Sequence, residues 1–287
     1  MSDLHAMFVH AHPDDESSKG AATMARYAKE GHRISVVTLT DGGAGDVLNP
    51  AMDRPGVKER MIEIREEELA RALEIIGVTD HWAFGYPDSG YVEDFDGDGS
   101  KVADDAFYNV EIDEVVRRLV ELIRAERPDV LLTYPEGGGY QHPDHIRCHD
   151  VTVAAYEAAA DPGRFLDTGA PFEVSKLYYM GVFTRRKLEA MHQACQDSGL
   201  ESPFSEWLER WEDGDDPTTT RVDVGDYLTV ARQALLAHAT QVDPDGRWFT
   251  LSEDIIRNVY PWEEFELARS RVDAPIPEDS LFAGITD

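Results

Sequence analysis

Cysteine, basic charge and long apolar runs are scarce in this chain, and each scarcity removes a class of function. Two cysteines among 287 residues, Cys148 and Cys195, make no disulfide framework, so the fold must rest on a hydrophobic core and both thiols are expected to be reduced and partly buried. Lysine and arginine number 27 against 57 aspartates and glutamates, a formal net charge of −30. That charge repels phosphate backbones and anionic headgroups over most of the surface, which argues against nucleic acid and membrane partners. No apolar run reaches 18 residues, and Met1-Ser2-Asp3-Leu4-His5 has no basic region followed by an apolar stretch. Neither a membrane span nor a signal peptide is expected, and the chain reads as cytoplasmic.

What the chain does have is apolar content, 42% with five tryptophans, sufficient for one large folding unit. Alternating strand and helix patterns predict an α/β fold, a Rossmann-like, mostly parallel sheet with helices on both faces. Strands are expected over 4–10, 34–39, 130–134 and 174–183, and helices over 17–30, 57–76, 112–126 and 145–160, with Gly31 and Gly77 as C-caps of the first two. Beyond residue 184 the sequence turns mainly helical and aromatic, with Trp207, Trp211, Tyr227 and Trp248. The expectation is a single domain over 1–287: an α/β core over 1–184 that holds the chemistry, and a C-terminal portion over 185–287 that covers the site. The loop Asp41-Gly42-Gly43-Ala44-Gly45-Asp46 lacks the spacing and the lysine of a phosphate loop, so it reads as a flexible wall of the site.

Two short acidic histidine clusters carry the chemistry: His12-Pro13-Asp14-Asp15-Glu16 and His142-Pro143-Asp144-His145. Each follows an expected strand, and open α/β sheets place ligands just beyond strand carboxyl ends. Hydrolytic zinc takes three nitrogen or oxygen ligands and keeps one position for water, a set that His12, Asp15 and His145 can provide. Imidazole and carboxylate suit zinc (Zn2+) or ferrous iron (Fe2+). Asp14, beside a ligand, can take the proton of an attacking water. His142 can carry charge near the tetrahedral oxyanion or donate a proton, Asp144 can orient that imidazole, and Tyr140 offers a phenol donor to the same oxyanion. Two other ligand sets compete. His10-Ala11-His12 with Asp14 resembles the start of a binuclear motif, although Asp15 stands where that motif needs a histidine, and His145 and His149 lie one helical turn apart. Loop caps and solvated turns would explain either cluster alone; two at strand ends favour a metal site.

At these residues the chain resembles the LmbE-like, or PIG-L, family of metal-dependent N-deacetylases, marked by a first-strand HPDDE and a later HPDH. The resemblance implies His12, Asp15 and His145 as metal ligands, Asp14 as general base, and Tyr140, His142 and Asp144 as transition-state helpers. Longer runs, among them 10–23, 142–149, 174–179, 238–241 and 264–271, are similar to those of family members that act on mycothiol S-conjugates. This implies a small-molecule thiol conjugate as substrate: hydrolysis of the amide joining an S-substituted N-acetylcysteine to glucosaminyl-inositol, which releases a mercapturic acid in thiol detoxification. Deacetylation of N-acetylglucosaminyl-inositol or another N-acetyl amino sugar is the alternative. By the same resemblance Arg65 and Asp88 contact the sugar and inositol, Lys19 touches the cysteinyl part and Gln241 reaches the site from the C-terminal portion. Arg65 otherwise reads as a surface ion-pair partner, Lys19 as a solvated helix residue and His238 as a packed one.

One segment departs from the family pattern. Asp94-Phe95-Asp96-Gly97-Asp98-Gly99, with Asp105 at the twelfth place, has the spacing of a calcium (Ca2+) loop, although glutamate would bind better there and no helix precedes it. A solvated acidic loop is the preferred reading, with a calcium-binding protein or a binuclear hydrolase as remote alternatives. Nothing in the sequence indicates an oligomeric state.

Overall fold

A computed structural model describes residues 4–181, 184–211 and 216–286. The chain runs β1 (His5–His10), α1 (Asp15–Ser18), α2 (Ala21–Glu30), β2 (Arg33–Thr40), α3 (Met61–Ile76), β3 (Asp80–Tyr86), α4 (Ile112–Glu126), β4 (Val130–Thr133), α5 (Pro143–Ala160) and β5 (Lys176–Tyr179). There follow α6 (Arg185–Asp197), α7 (Ser205–Glu209), β6 (Thr220–Asp223), α8 (Leu228–Ala237), α9 (Glu253–Val259) and β7 (Trp262–Ser270).

Among the described residues, seven strands form one sheet in the order β3-β2-β1-β4-β5-β7-β6, in which β1 to β5 are parallel and β7 pairs antiparallel with both β5 and β6. β1 and β4 are wholly buried and read as the continuous apolar runs expected of strands covered on both faces. After β1 the chain moves to β2 and β3 on one side, then returns to lay β4 on the other, with Ala6 opposite Val130 and Phe8 opposite Leu132. Right-handed crossovers therefore place α2 and α3 on one face and α4 and α5 on the other. The reversal opens a crevice at the carboxyl ends of β1 and β4, the binding position of open α/β sheets. Both histidine clusters leave from those two ends.

Several local outcomes differ from the sequence reading. The helix expected over 17–30 is broken: α1 closes when the Lys19 N–H bonds Asp15 O at 2.9 Å, and Gly20 turns the chain before α2 starts. α3 begins at Met61 after a short 3-10 turn. α5 begins two residues early at Pro143, since proline is favoured in a helix's first turn. β5 is shorter than 174–183, and Val182 and Phe183 lie outside the described residues. β3 was not anticipated; it is an edge strand, half-buried along its length, without the apolar run that marks β1 and β4. The mainly helical C-terminal portion also contributes β6 and β7, which extend the sheet. No helix among the described residues is long and apolar enough to cross a membrane.

The C-terminal segment is tied to the sheet by a buried ion pair. Lys176 Nζ lies 2.5 Å from Glu278 Oε1, and Tyr178 and Thr220 hydroxyls donate to Oε2 at 2.5 and 2.8 Å. Both charged side chains are fully buried, so removing one partner leaves the other uncompensated. Lys176→Met is expected to cost about 3–5 kcal/mol in urea unfolding, and adding Glu278→Leu should recover much of the loss. A single variant as stable as wild type would contradict this view of the pair.

Candidate metal centre

The first cluster forms a tight turn out of β1. The His12 N–H donates to Asp15 Oδ2 at 2.9 Å, and Asp14 takes φ 134°, a backbone conformation that non-glycine residues rarely adopt. That turn sets the Asp15 carboxylate beside the His12 ring, with Oδ2 3.4 Å from Nδ1. The second cluster follows β4 through a turn at 136–138. A Cβ on Gly138 would lie 2.6 Å from the His145 Cβ, so only glycine lets this turn approach α5 closely enough for His145 Nδ1 to donate to its carbonyl at 3.1 Å. His145 Nε2 is then the nitrogen without hydrogen, and it lies 3.3 Å from Asp15 Oδ2.

Asp144 settles the other ring. Its Oδ2 accepts from His12 Nε2 at 3.1 Å and from the Ser89 N–H at 2.9 Å, while the Ser89 hydroxyl donates to Oδ1. With hydrogen held on Nε2, His12 offers Nδ1 to a cation, the carboxylate–histidine arrangement that orients metal ligands. His12, Asp15 and His145 are all buried, with one donor atom from each lying within 4.8 Å of the others. Donor separations of 3.3 and 3.4 Å match the edge of a tetrahedron with bonds of about 2.0–2.1 Å. Burial opposes the charge on Asp15, yet His145, Lys19 and His12 outweigh it and hold its carboxyl well below the usual carboxylate range. Burial likewise opposes charge on His12, and Asp88, Asp144 and Asp15 still lift its imidazole well above the ordinary value. A pocket that draws positive charge against burial fits a divalent cation.

A second group, His12 with Asp88, His142 and Asp144, also meets the spacing for a metal. It shares the His12 ring and would need Nε2, which the Asp144 carboxylate already engages. The remaining expected residues fall as follows. Tyr140 is half-exposed, with its hydroxyl donating to His145 Nε2 at 3.3 Å. His142 packs edge-on against His12 at 4.5 Å, and its Nδ1 accepts from the Asp144 N–H. Burial, then the neighbouring His12 and His145, pushes its pKa down to about 2, so it stands as a neutral ring with hydrogen on Nε2. Asp144 was expected to orient His142 through its carboxylate; it orients His12 instead, because the start of α5 offers His142 only the Asp144 backbone.

Of the expected substrate contacts, Asp88 points into the site, with Oδ1 3.6 Å from His12 Nε2. Lys19 pairs with the outer oxygen of Asp15 at 2.7 Å, which makes it a neighbour of the proposed ligand and not a free solvated residue. Gln241 donates to Asp46 O at 3.0 Å on the glycine-rich loop. Arg65 is turned inward: its side chain is 3% exposed, and its donors go to Pro13 O, Asp14 Oδ2 and Gly42 O. That corrects the surface reading: the ion pair with Asp14 is buried on the Arg65 side. His10 lies fully buried, stacked on Phe8, with burial pushing its pKa to about 4 and neither ring nitrogen hydrogen-bonded; it belongs to neither candidate ligand group. His149 Nδ1 donates to Tyr134 O and is likewise outside both groups.

Three contributors were not singled out from the sequence. Tyr134 donates to Asp15 Oδ2 at 2.7 Å and stacks on His145 with centroids 4.1 Å apart. Glu16 accepts from the Asp14 N–H and from His238 Nε2, the latter at 2.7 Å. Glu68 accepts from the Thr240 N–H and hydroxyl. Tyr134 could have been found as the residue that directly follows β4, since such positions face the crevice. The acids give no such signal in a chain with 57 of them. The calcium-like loop does not gather ligands: Asp96 pairs with Lys101 at 2.9 Å, Asp98 caps the Ser100 N–H, and among the described residues no candidate metal group includes Asp94 or Asp105.

Residues 7–156, more than half of the chain, match the family model described as PIG-L: GlcNAc-PI de-N-acetylase. The chain belongs to the PIG-L family. Among relatives, the mycothiol S-conjugate amidase of Streptomyces coelicolor is 45% identical, covering 99% of this chain and 98% of that protein. The 1D-myo-inositol 2-acetamido-2-deoxy-alpha-D-glucopyranoside deacetylase of Streptomyces avermitilis is 37% identical over 99% and 98%. Among solved structures, the N,N'-diacetylchitobiose deacetylase of Pyrococcus horikoshii superposes with a TM-score of 0.63 at 16% identity, over 92% of this chain and 83% of that one; it shares the fold. These relatives are named as hydrolases of amide bonds, and the PIG-L chain described here is an enzyme of that kind.

The geometry predicts one divalent metal per chain, measured by plasma mass spectrometry after dialysis. His145→Ala should abolish it, Asp144→Asn should weaken affinity about 10–100-fold through His12, and His10→Gln should leave the stoichiometry at one. Two metals in wild type and one in His10→Gln would favour a binuclear centre.

Proposed function

We propose that this protein is a mononuclear, zinc-dependent amidase that hydrolyses the amide of mycothiol S-conjugates to a mercapturic acid and glucosaminyl-inositol. The observation that carries the substrate is the 45% identity, over nearly the full length of both chains, to a protein named for that reaction. Ferrous iron meets the same donor set. His12 Nδ1, Asp15 Oδ2 and His145 Nε2 would hold the ion, which when bound supplies Lewis acidity toward the amide carbonyl and toward water.

The chain's own residues supply the rest. Asp14, 26% exposed at its side chain, is the carboxylate open to the crevice. It accepts the proton of the attacking water as oxygen joins the carbonyl carbon, then returns it to the glucosamine nitrogen as the C–N bond breaks. Tyr140, with its hydroxyl beside His145, donates to the oxyanion. His142 carries its hydrogen on Nε2 and supports the same charge as a neutral donor. Asp144 keeps His12 in the tautomer that frees Nδ1. Asp88, Lys19 and Gln241 line the surroundings where the sugar, inositol and cysteinyl parts would lie.

A second reading, deacetylation of N-acetylglucosaminyl-inositol, is favoured by the 37% identity to a deacetylase named for that type of substrate. The chemistry is the same on a smaller acyl group, so kcat/KM for the two substrates on one preparation separates them. The proposal expects the bimane conjugate of mycothiol to be preferred. Chelator-stripped protein should lose hydrolysis and regain it with zinc or ferrous iron. Asp14→Ala should retain metal while kcat falls at least about 100-fold. Full activity in the metal-free protein or in Asp14→Ala would overturn the mechanism.

A further inference from the structure

Within that reaction, we propose that His238, the residue directly after α8, is a positioning residue: through the Glu16 carboxylate it fixes the backbone of Asp14 from the C-terminal portion. The inference rests on the proposed role of Asp14 as base.

Two hydrogen bonds make the connection. His238 Nε2 donates to Glu16 Oε1 at 2.7 Å, and the Asp14 N–H donates to the other oxygen of that carboxylate, Oε2, at 3.0 Å. The His238 and Glu16 side chains are 0% and 1% exposed, so neither faces the crevice or a substrate in it. Burial opposes charge on Glu16, yet His238 and then the Ser17 hydroxyl hold its carboxyl down at about 2, which makes the acceptor a carboxylate. His238 Nδ1 is buried and has no partner among the described residues, so Glu16 is the polar group that the ring engages.

Asp14 needs this restraint because its backbone, at φ 134° and ψ −20°, lies where an L residue stays only when its surroundings hold it. Its neighbour Asp15 is anchored by other groups: the His12 N–H, the Tyr134 hydroxyl and Lys19 hold that carboxylate. Without the imidazole, Glu16 is a buried anion short of a donor, a costly state that it leaves by turning toward water. The Asp14 N–H is then released while the proposed metal ligand keeps its own partners.

His238 is itself rigidly delivered. Thr240 donates through its N–H and hydroxyl to Glu68 on α3 at 2.9 and 2.7 Å. Asn49 Nδ2 donates to Ala239 O at 2.9 Å, and Gln241 Nε2 to Asp46 O at 3.0 Å. The turn 238–241 is thus tied to α3 and to the loop after β2, and its first residue carries that rigidity to the base. A base displaced by about 1 Å loses on the order of 100-fold in rate.

The test uses the metal-loaded full chain. His238→Asn ends in an amide too short to reach Glu16, whereas the His238→Gln amide stands where Nε2 was. His238→Asn should lower kcat by on the order of 10–100-fold, with KM within about twofold and one metal per chain retained, and His238→Gln should recover much of the rate. Glu16→Ala, which removes the shared acceptor and leaves no buried charge, carries the same prediction should His238→Asn fail to fold. Because His238 acts through Asp14, adding either substitution to Asp14→Ala should change kcat by no more than about twofold. Losses that multiply in the double variant would overturn the proposal, as would wild-type kcat in both single variants, equal kcat in His238→Asn and His238→Gln, or a tenfold higher KM with kcat unchanged. Full activity in Asp14→Ala sinks the base assignment and this inference with it; multiplied losses on top of a slow Asp14→Ala sink the inference alone. If wild type cleaves only the acetylated sugar, the substrate assignment fails while the same cycle is read on that sugar. A crystal structure of the slower variant reads the restraint apart from activity: Asp14 should leave its φ 134° conformation, and an unmoved Asp14 would overturn the proposal.

Discussion

The structure depends on one carboxylate. Asp15 Oδ2 lies within 3.4 Å of nitrogens from both histidine clusters, and it is the atom through which residues 130 positions apart become one site. An anion so buried is costly unless its lone pairs are met. Here the His12 N–H and the Tyr134 hydroxyl meet one oxygen and Lys19 the other. The sheet makes the meeting geometrically obligatory: β1 and β4 are neighbours in register, and their carboxyl ends open onto the same crevice.

Around that centre the protein builds outward in shells that each fix the one inside. Asp144 and Ser89 fix the His12 tautomer, Gly138 fixes that of His145, and Tyr134 fixes both Asp15 and the His145 ring plane. Farther out, Glu16 and Glu68 receive the turn that ends α8, through His238 and Thr240. The C-terminal portion thus buttresses the turn that carries Asp14 and Asp15. Most of the acidic excess faces solvent, but the cations nearest the crevice, Lys19 and Arg65, are both engaged with its carboxylates.

The sequence made legible whatever depends on local chemistry. α4 follows the expected 112–126 because its apolar positions recur at helical spacing and bury Val115, Val116, Leu119, Val120 and Ile123. The two clusters could be placed at strand ends because β1 and β4 are continuous apolar runs. Side-chain direction was not legible. Arg65 stands in a run of glutamates that resembles a solvated face, and only the packing of α3 against the turn after β1 turns it inward. Asp144 adjoins His145 and His142 in sequence, yet its carboxylate crosses to the other cluster because β3 delivers Ser89 there. Edge strands escaped for a related reason: β3 is half-exposed and β6 has four residues, so their pairing is decided by neighbours and not by their own pattern.

The central claim is that the cation sits on the Nδ1 side of His12. Anomalous diffraction at the zinc edge, from crystals of the full chain grown with zinc, tests it most directly. A single peak in bonding contact with His12 Nδ1, Asp15 Oδ2 and His145 Nε2, with the Asp144 carboxylate still on Nε2, is the result predicted. A peak on the opposite side of the ring, among Asp88, His142 and Asp144, would contradict it.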